Sequence, residues 1–215
     1  GIIETGSNSI AMSAKDTALT ENSGSISADG ENVTGMYLSS SSSSIGENSG
    51  EIELAGKNTI GVYLESGAAQ VFNNSGIIKT ESTDNTAISS AGIYNNSHIV
   101  NNTGNIMSGA NSLGIYNNSG VINHSSGSIV SEAGGVGIYS SGGEINLTGG
   151  KIESRETGIY AQNNTKIVNT GTTMEQGDNS KVYVLESGST LENNQNTAIG
   201  NNSIFLFGHN AGNVV

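Results

Sequence analysis

One short pattern dominates the chain: a small polar residue, a glycine, any residue, then isoleucine. It begins at Gly24 (Asn22-Ser23-Gly24-Ser25-Ile26), Gly50 (Asn48-Ser49-Gly50-Glu51-Ile52), Gly76, Gly104, Gly127 and Gly150, is opened by Gly1-Ile2-Ile3 and closes weakly at Gly171-Thr172-Thr173. Successive glycines lie 23, 26, 26, 28, 23, 23 and 21 residues apart, one repeat per 24 or so. Self-similarity on this scale restricts the chain to architectures in which each repeat is one unit stacked on the next.

A second motif follows each first one. It reads Gly35-Met36-Tyr37, Gly61-Val62-Tyr63, Gly92-Ile93-Tyr94, Gly114-Ile115-Tyr116, Gly137-Ile138-Tyr139, Gly158-Ile159-Tyr160 and, with Lys for Gly, Lys181-Val182-Tyr183, placing all seven tyrosines in one register. A third apolar point comes next, at Ile45, Val71, Ile99, Val121, Ile145, Ile167 and Leu191. Around the first motif, Ile3, Ile26, Ile52, Ile78, Ile106, Ile129 and Ile152 alternate with Glu4, Ser27, Glu53, Lys79, Met107, Val130 and Glu153. That is the period of a strand with one buried face. Asn, Gly and Ser clusters separate the segments and supply turn chemistry.

Composition alone reads differently. Gly, Asn and Ser number 31, 29 and 33 of 215 residues, and the apolar fraction approaches that of disordered chains. Two details oppose that reading: Ile outnumbers Leu by 23 to 9, and proline is absent, as suits a chain that needs its backbone N–H groups. The expected fold is all-β: a right-handed parallel β-helix of about 24 residues and three short strands per turn, in eight to nine turns. A leucine-rich repeat lacks its leucine framework here, and a propeller blade needs a longer period. Like residues stacked in columns place isoleucines inside and asparagine ladders at the corners. Residues 1–215 are expected to be one solenoid segment of a longer chain, continuing N-terminally because the first repeat has no cap before it.

A net charge of −12, with Arg155 the single arginine, leaves no basic stripe for nucleic acid. Without cysteine there is no disulfide framework or thiolate zinc site, and the longest apolar run, Ile204 to Phe207, is too short for a membrane helix. No cofactor is expected. Catalysis is disfavoured: Asp16, Asp29, Asp84 and Asp178 share no column, and Glu51 and Glu53 lie on the outer face beside Lys79. The nearest approach to a calcium repeat, Gly134-Gly135-Val136-Gly137-Ile138-Tyr139, has Tyr where the ligand Asp belongs. His98, His124 and His209 fall in different registers and read as turn or surface residues, not metal ligands. The sequons at Asn73, Asn95 and Asn117 are by-products of turn chemistry, and Ser39 to Ser44 reads as a polar corner.

Two features remain as candidate partner-binding elements. If the residue before each tyrosine points inward, Tyr37, Tyr63, Tyr94, Tyr116, Tyr139, Tyr160 and Tyr183 form an outward stripe, either a surface for glycan or protein or a structural stack of rings. The segment Lys79 to Ala91, with Glu81 and Asp84, is the longest deviation from the period, and loops that break a solenoid's rhythm often carry contacts. Near the C-terminus, spacing assigns the tyrosine register to Ile204-Phe205-Leu206, whereas similarity assigns it to Thr197 to Ser203.

The recurring Asn-Ser-Gly-x-Ile segments and the Gly-Ile-Tyr-Asn-Asn-Ser segments at Gly92 to Ser97 and Gly114 to Ser119 resemble passenger domains of Gram-negative autotransporters, in particular large fusobacterial outer-membrane adhesins. The resemblance implies type V secretion, display on the outer face of the outer membrane, and adhesion to a protein or glycan on host or bacterial surfaces. Membrane attachment would run only through a C-terminal barrel that these residues do not include. An inert stalk and a polysaccharide-processing β-helix enzyme stand as the alternatives.

Overall fold

The computed structural model describes residues 1–81 and 90–215. The first turn consists of β1 (Ile2–Thr5), β2 (Ser9–Lys15) and β3 (Leu19–Asn22), and the second of β4 (Ser25–Ala28), β5 (Val33–Ser39) and β6 (Ser44–Asn48). Each strand pairs in parallel with its counterpart one turn on, as β1 does with β4, β2 with β5 and β3 with β6. Among the described residues, repetition builds three sheets of eight, nine and eight strands. Among the described residues there is no helix. The protein is a parallel β-solenoid of about eight turns, and a rung spacing of about 4.8 Å makes it a rod on the order of 40 Å long.

The first sheet follows the glycine–isoleucine pattern. Ile26, Ile52, Ile78, Ile106, Ile129 and Ile152 are fully buried and in register, while Ile3, on the first rung, is half-buried against the same core. Met36, Val62, Ile93, Ile115, Ile138 and Ile159 meet them from the second sheet, also fully buried. Each of these side chains gains roughly 1.5–3 kcal/mol by leaving water, so a thin core suffices for a chain this polar.

The third sheet corrects the sequence reading by one residue. Its inward column is Phe72, Val100, Ile122, Ile145, Ile167 and Leu191, whereas Ile45, Val71, Ile99 and Val121 face outward beside Leu19. Ile99-Val100 and Val121-Ile122 are adjacent apolar pairs, and a strand turns only one member of such a pair inward.

Asparagine explains the corners. Asn22, Asn48, Asn74 and Asn102 form a buried ladder in which each Nδ2 donates to the next Oδ1 at 2.7–2.8 Å, and Asn102 donates to Nδ1 of His124 at 3.0 Å. Asn95 and Asn117 each close a corner by accepting a backbone N–H three residues on, at His98 and Gly120, and donating back to the same residue's carbonyl. Asn8, Asn32 and Asn58 take left-handed turns with φ of 57°, 57° and 53° and are bonded side chain to side chain. Asn tolerates that conformation better than most residues. The run Ser39 to Ser44 spans the corner between β5 and β6, its first and last residues ending and opening those strands, with Ser41 bonded to Asp16 one turn below.

Candidate functional site

The second sheet builds the most distinctive surface. At each motif glycine the strand has no room for a side chain: a Cβ on Gly92 would lie 2.5 Å from Ile106 Cγ2 and 2.6 Å from the Gly114 carbonyl oxygen. The glycine lets two strands of the narrow rod close on each other and sends the tyrosine outward. Six tyrosines stack in succession, Tyr37 on Tyr63, Tyr94, Tyr116, Tyr139 and Tyr160, with ring centroids 4.5–5.5 Å apart and planes within 21° of parallel. The rings are half-buried, and Ala91, Leu113 and Val136 form an apolar floor under Tyr116, Tyr139 and Tyr160.

Tyr183 leaves the column. Ile159 pairs with Tyr183 and Tyr160 with Val184, so Val182 takes the place of the motif glycine and Tyr183 turns into the core. Its hydroxyl finds partners there, accepting from Asn169 Nδ2 at 3.1 Å and donating to Asn193 Oδ1 at 3.3 Å, and burial pushes its phenol up to about 12. The chain continues as Ile204–His209 in the same sheet, as spacing predicts, but Leu206 pairs with Tyr183 and Phe207 with Val184, one residue beyond the expected match.

The phenols of the ladder are held by residues the sequence reading did not single out. Glu65 accepts from Tyr37, raising that phenol to about 12, and its own carboxyl is held low by Ser39 and Tyr37. Asn96 donates to Tyr63 at 3.2 Å and Gln162 to Tyr139 at 2.9 Å. Burial and a bond to Glu186 raise Tyr160 to about 12. Burial also raises Tyr94 and Tyr139. Glu65, Asn96 and Gln162 each lie two residues past the tyrosine of the next turn, a regular offset the sequence does display.

Glu81 is exposed and stands apart from the ladder. Lys79 bridges Glu53 at 2.8 Å and Glu81 at 2.7 Å, which raises its ammonium above the ordinary lysine range. Asp84 lies outside the described residues, as does most of the segment from Lys79 to Ala91. Two of the histidines are buried: His98 in a turn, as expected of a turn residue, and His124 in a strand, which departs from the expected turn or surface position. His98 accepts the Gln70 N–H on Nδ1 at 3.2 Å and donates from Nε2 to the Glu65 carbonyl at 2.6 Å, while His124 interrupts the asparagine ladder. Among the described residues there is no group of three or more His, Cys, Asp or Glu side chains placed to hold a metal ion.

No protein-family model, curated protein or solved structure matches this chain. The functional reading therefore rests on the ladder and its surroundings. Another surface was missed from sequence: Leu19, Ile45, Val71, Ile99 and Val121 line up outside the third sheet, with Leu19 and Ile45 52% and 43% exposed. Beside them Asn73, Asn101, Asn123 and Asn146 form an outer amide ladder with bonds of 2.9–3.1 Å. For Val71, Ile99 and Val121 the signal was the adjacent apolar pair each forms with the next residue, one more than a single buried face needs.

Proposed function

We propose that the chain is a non-enzymatic segment of a secreted, cell-surface adhesin of the autotransporter kind, which extends from the cell and presents binding surfaces to a protein or glycan of host or bacterial cells. The observation that supports this reading is the six-ring tyrosine ladder, a continuous aromatic edge with hydrogen-bonding neighbours on one face of a rod. Half-exposed tyrosine is well suited to recognition because it offers apolar area and a polar tip with little conformational freedom to lose. A second reading, an inert stalk, is favoured by the way inner rings cover each other's faces at 4.5–5.5 Å, leaving edges and hydroxyls for a partner.

The test is binding of the labelled 215-residue chain to host-cell monolayers, bacterial cells and immobilised glycans. The expected result is saturable binding that is lost in the triple variant Tyr63→Ala, Tyr116→Ala, Tyr139→Ala while the β-sheet circular dichroism persists. Failure of the native chain to bind any of these surfaces makes it a stalk.

A further inference from the structure

The chain has no tryptophan and no cysteine, so tyrosine is its readily oxidised aromatic side chain, and two of its four methionines, Met36 and Met174, are buried. Six of the seven tyrosines are stacked in one column whose edges face solvent. Tyr94 and Tyr116 are the closest pair, with ring centroids 4.5 Å apart. They are Cα partners in adjacent parallel strands, and their rings lie within 21° of parallel. Near-parallel rings in strand register at this spacing place the Cε carbons, which lie ortho to the oxygens, on facing rings.

We propose that this ladder is an oxidative modification site, at which a haem peroxidase fed with hydrogen peroxide joins Tyr94 to Tyr116 as a dityrosine that staples two successive turns. Hydrogen peroxide is reduced to two waters as two phenols each give up one electron and the phenolic proton. The resulting phenoxyl radicals carry unpaired density on oxygen and on Cε, and the two unpaired electrons form a Cε–Cε bond. The hydrogen on each coupled carbon then moves to the phenol oxygen, restoring both aromatic rings, so the chain loses two hydrogen atoms in all.

The fold supplies what this coupling lacks in a free chain. Two radicals on an unfolded polypeptide must find each other by diffusion, whereas here the two rings are held with centroids 4.5 Å apart before oxidation. Stacking through six rings also lets a radical formed at Tyr37 or Tyr160 migrate to the closest pair, so the product does not depend on which ring the oxidant meets. A rung-to-rung link of this kind constrains the unfolded chain as a disulfide does in a chain that has none.

The experiment treats the whole chain, dilute, with hydrogen peroxide and a haem peroxidase, then identifies linked peptides by mass spectrometry. The expected product is a monomer lighter by two hydrogen atoms per link, with Tyr94 joined to Tyr116 severalfold more often than in the urea-unfolded chain. Tyr94→Phe keeps the stacked ring and abolishes this link, whereas Tyr37→Phe leaves it in place. Links spread over the tyrosines alike in native and unfolded chain, links only between chains, or no link at all overturns the proposal.

Discussion

The glycine column of the second sheet offers the sharpest test of the stacking geometry, and Gly114→Ala is the informative change. A Cβ at this position would lie 2.4 Å from the Gly137 carbonyl oxygen and 2.7 Å from Ile129 Cγ2, where ordinary contact begins at 3.4 Å. The next turn must therefore retreat by about 1 Å, and that turn is hydrogen-bonded to Ser112–Asn117 along its length. Overpacking of this size costs about 1–3 kcal/mol, and weakening one or two ladder bonds adds about 1 kcal/mol each. Restriction of the unfolded chain by alanine offsets about 0.4–1 kcal/mol. The net expectation is a loss of about 3 kcal/mol, read from the midpoint of urea unfolding followed by circular dichroism. Gly6→Ala is the control, since a Cβ there meets nothing within 4 Å; it should be neutral or slightly stabilising. Ile129→Leu removes the Cγ2 methyl but not the carbonyl, so Gly114→Ala with Ile129→Leu should recover only part of the loss. A cost for Gly114→Ala below about 0.5 kcal/mol, the range of an innocuous surface change, or its full rescue by Ile129→Leu, refutes the idea that backbone approach fixes this column.

Two further perturbations address the polar columns. Asn74→Ala removes the bond from Asn48 and the bond to Asn102 inside the rod, and each buried group left without a partner costs about 1–3 kcal/mol. A loss of about 3 kcal/mol is expected in urea unfolding, against well under 1 kcal/mol for Asn123→Ala in the half-exposed outer ladder; equal losses would show that burial of the amides contributes nothing. His124 accepts from Asn102 on Nδ1, and burial holds its pKa below the ordinary value of 6.5. Protonation would set donor against donor, so the unfolded chain takes up the proton first. The stability linked to His124 is complete above pH 6.5 and is lost as pH falls below it toward the depressed folded-state value. Unfolding measured from pH 7.5 to 5 (about one unit either side of the ordinary histidine range) should show a steeper decline for the native chain than for His124→Asn, and parallel curves would contradict the assignment.

How far the sequence discloses this fold depends on whether a position leaves the chain any choice. After Gly50, Glu51-Ile52-Glu53 can bury only its centre, and Ile52 is fully buried. After Asn96, the segment Ser97-His98-Ile99-Val100 offers adjacent apolar residues, and the partner strands decide that Val100 goes in and Ile99 out. Gly46 is an inward position that hydropathy cannot mark, its missing side chain replaced in space by Leu38 Cδ1 and Phe72 Cδ2. The tyrosine column was legible as a register, because identical residues recur at one offset, but the inward turn of Tyr183 was not. That turn depends on Asn169 of the preceding turn and Asn193 of the same turn, Cα partners in the third sheet, meeting its hydroxyl. The phenol partners Glu65, Asn96 and Gln162 differ in chemistry from turn to turn, so only their common offset, visible once the rungs are aligned, connects them.

These exceptions bear on how the rod finds one structure. A solenoid of identical turns is indifferent to a slip by one whole repeat, since isoleucine would still meet isoleucine and tyrosine would meet tyrosine. The irregular positions remove that degeneracy. His124 and, one turn on, Leu147 interrupt the buried amide ladder, which resumes at Asn169 and Asn193. Gly46 leaves the space that Leu38 of its own turn and Phe72 of the next fill together. Tyr183 needs the amide of Asn169 at its hydroxyl. Each mismatch would strand a buried polar group or open a cavity after a slip, costing roughly 1–3 kcal/mol at each site. The repeating columns thus supply most of the burial, and the departures from repetition specify which turn follows which.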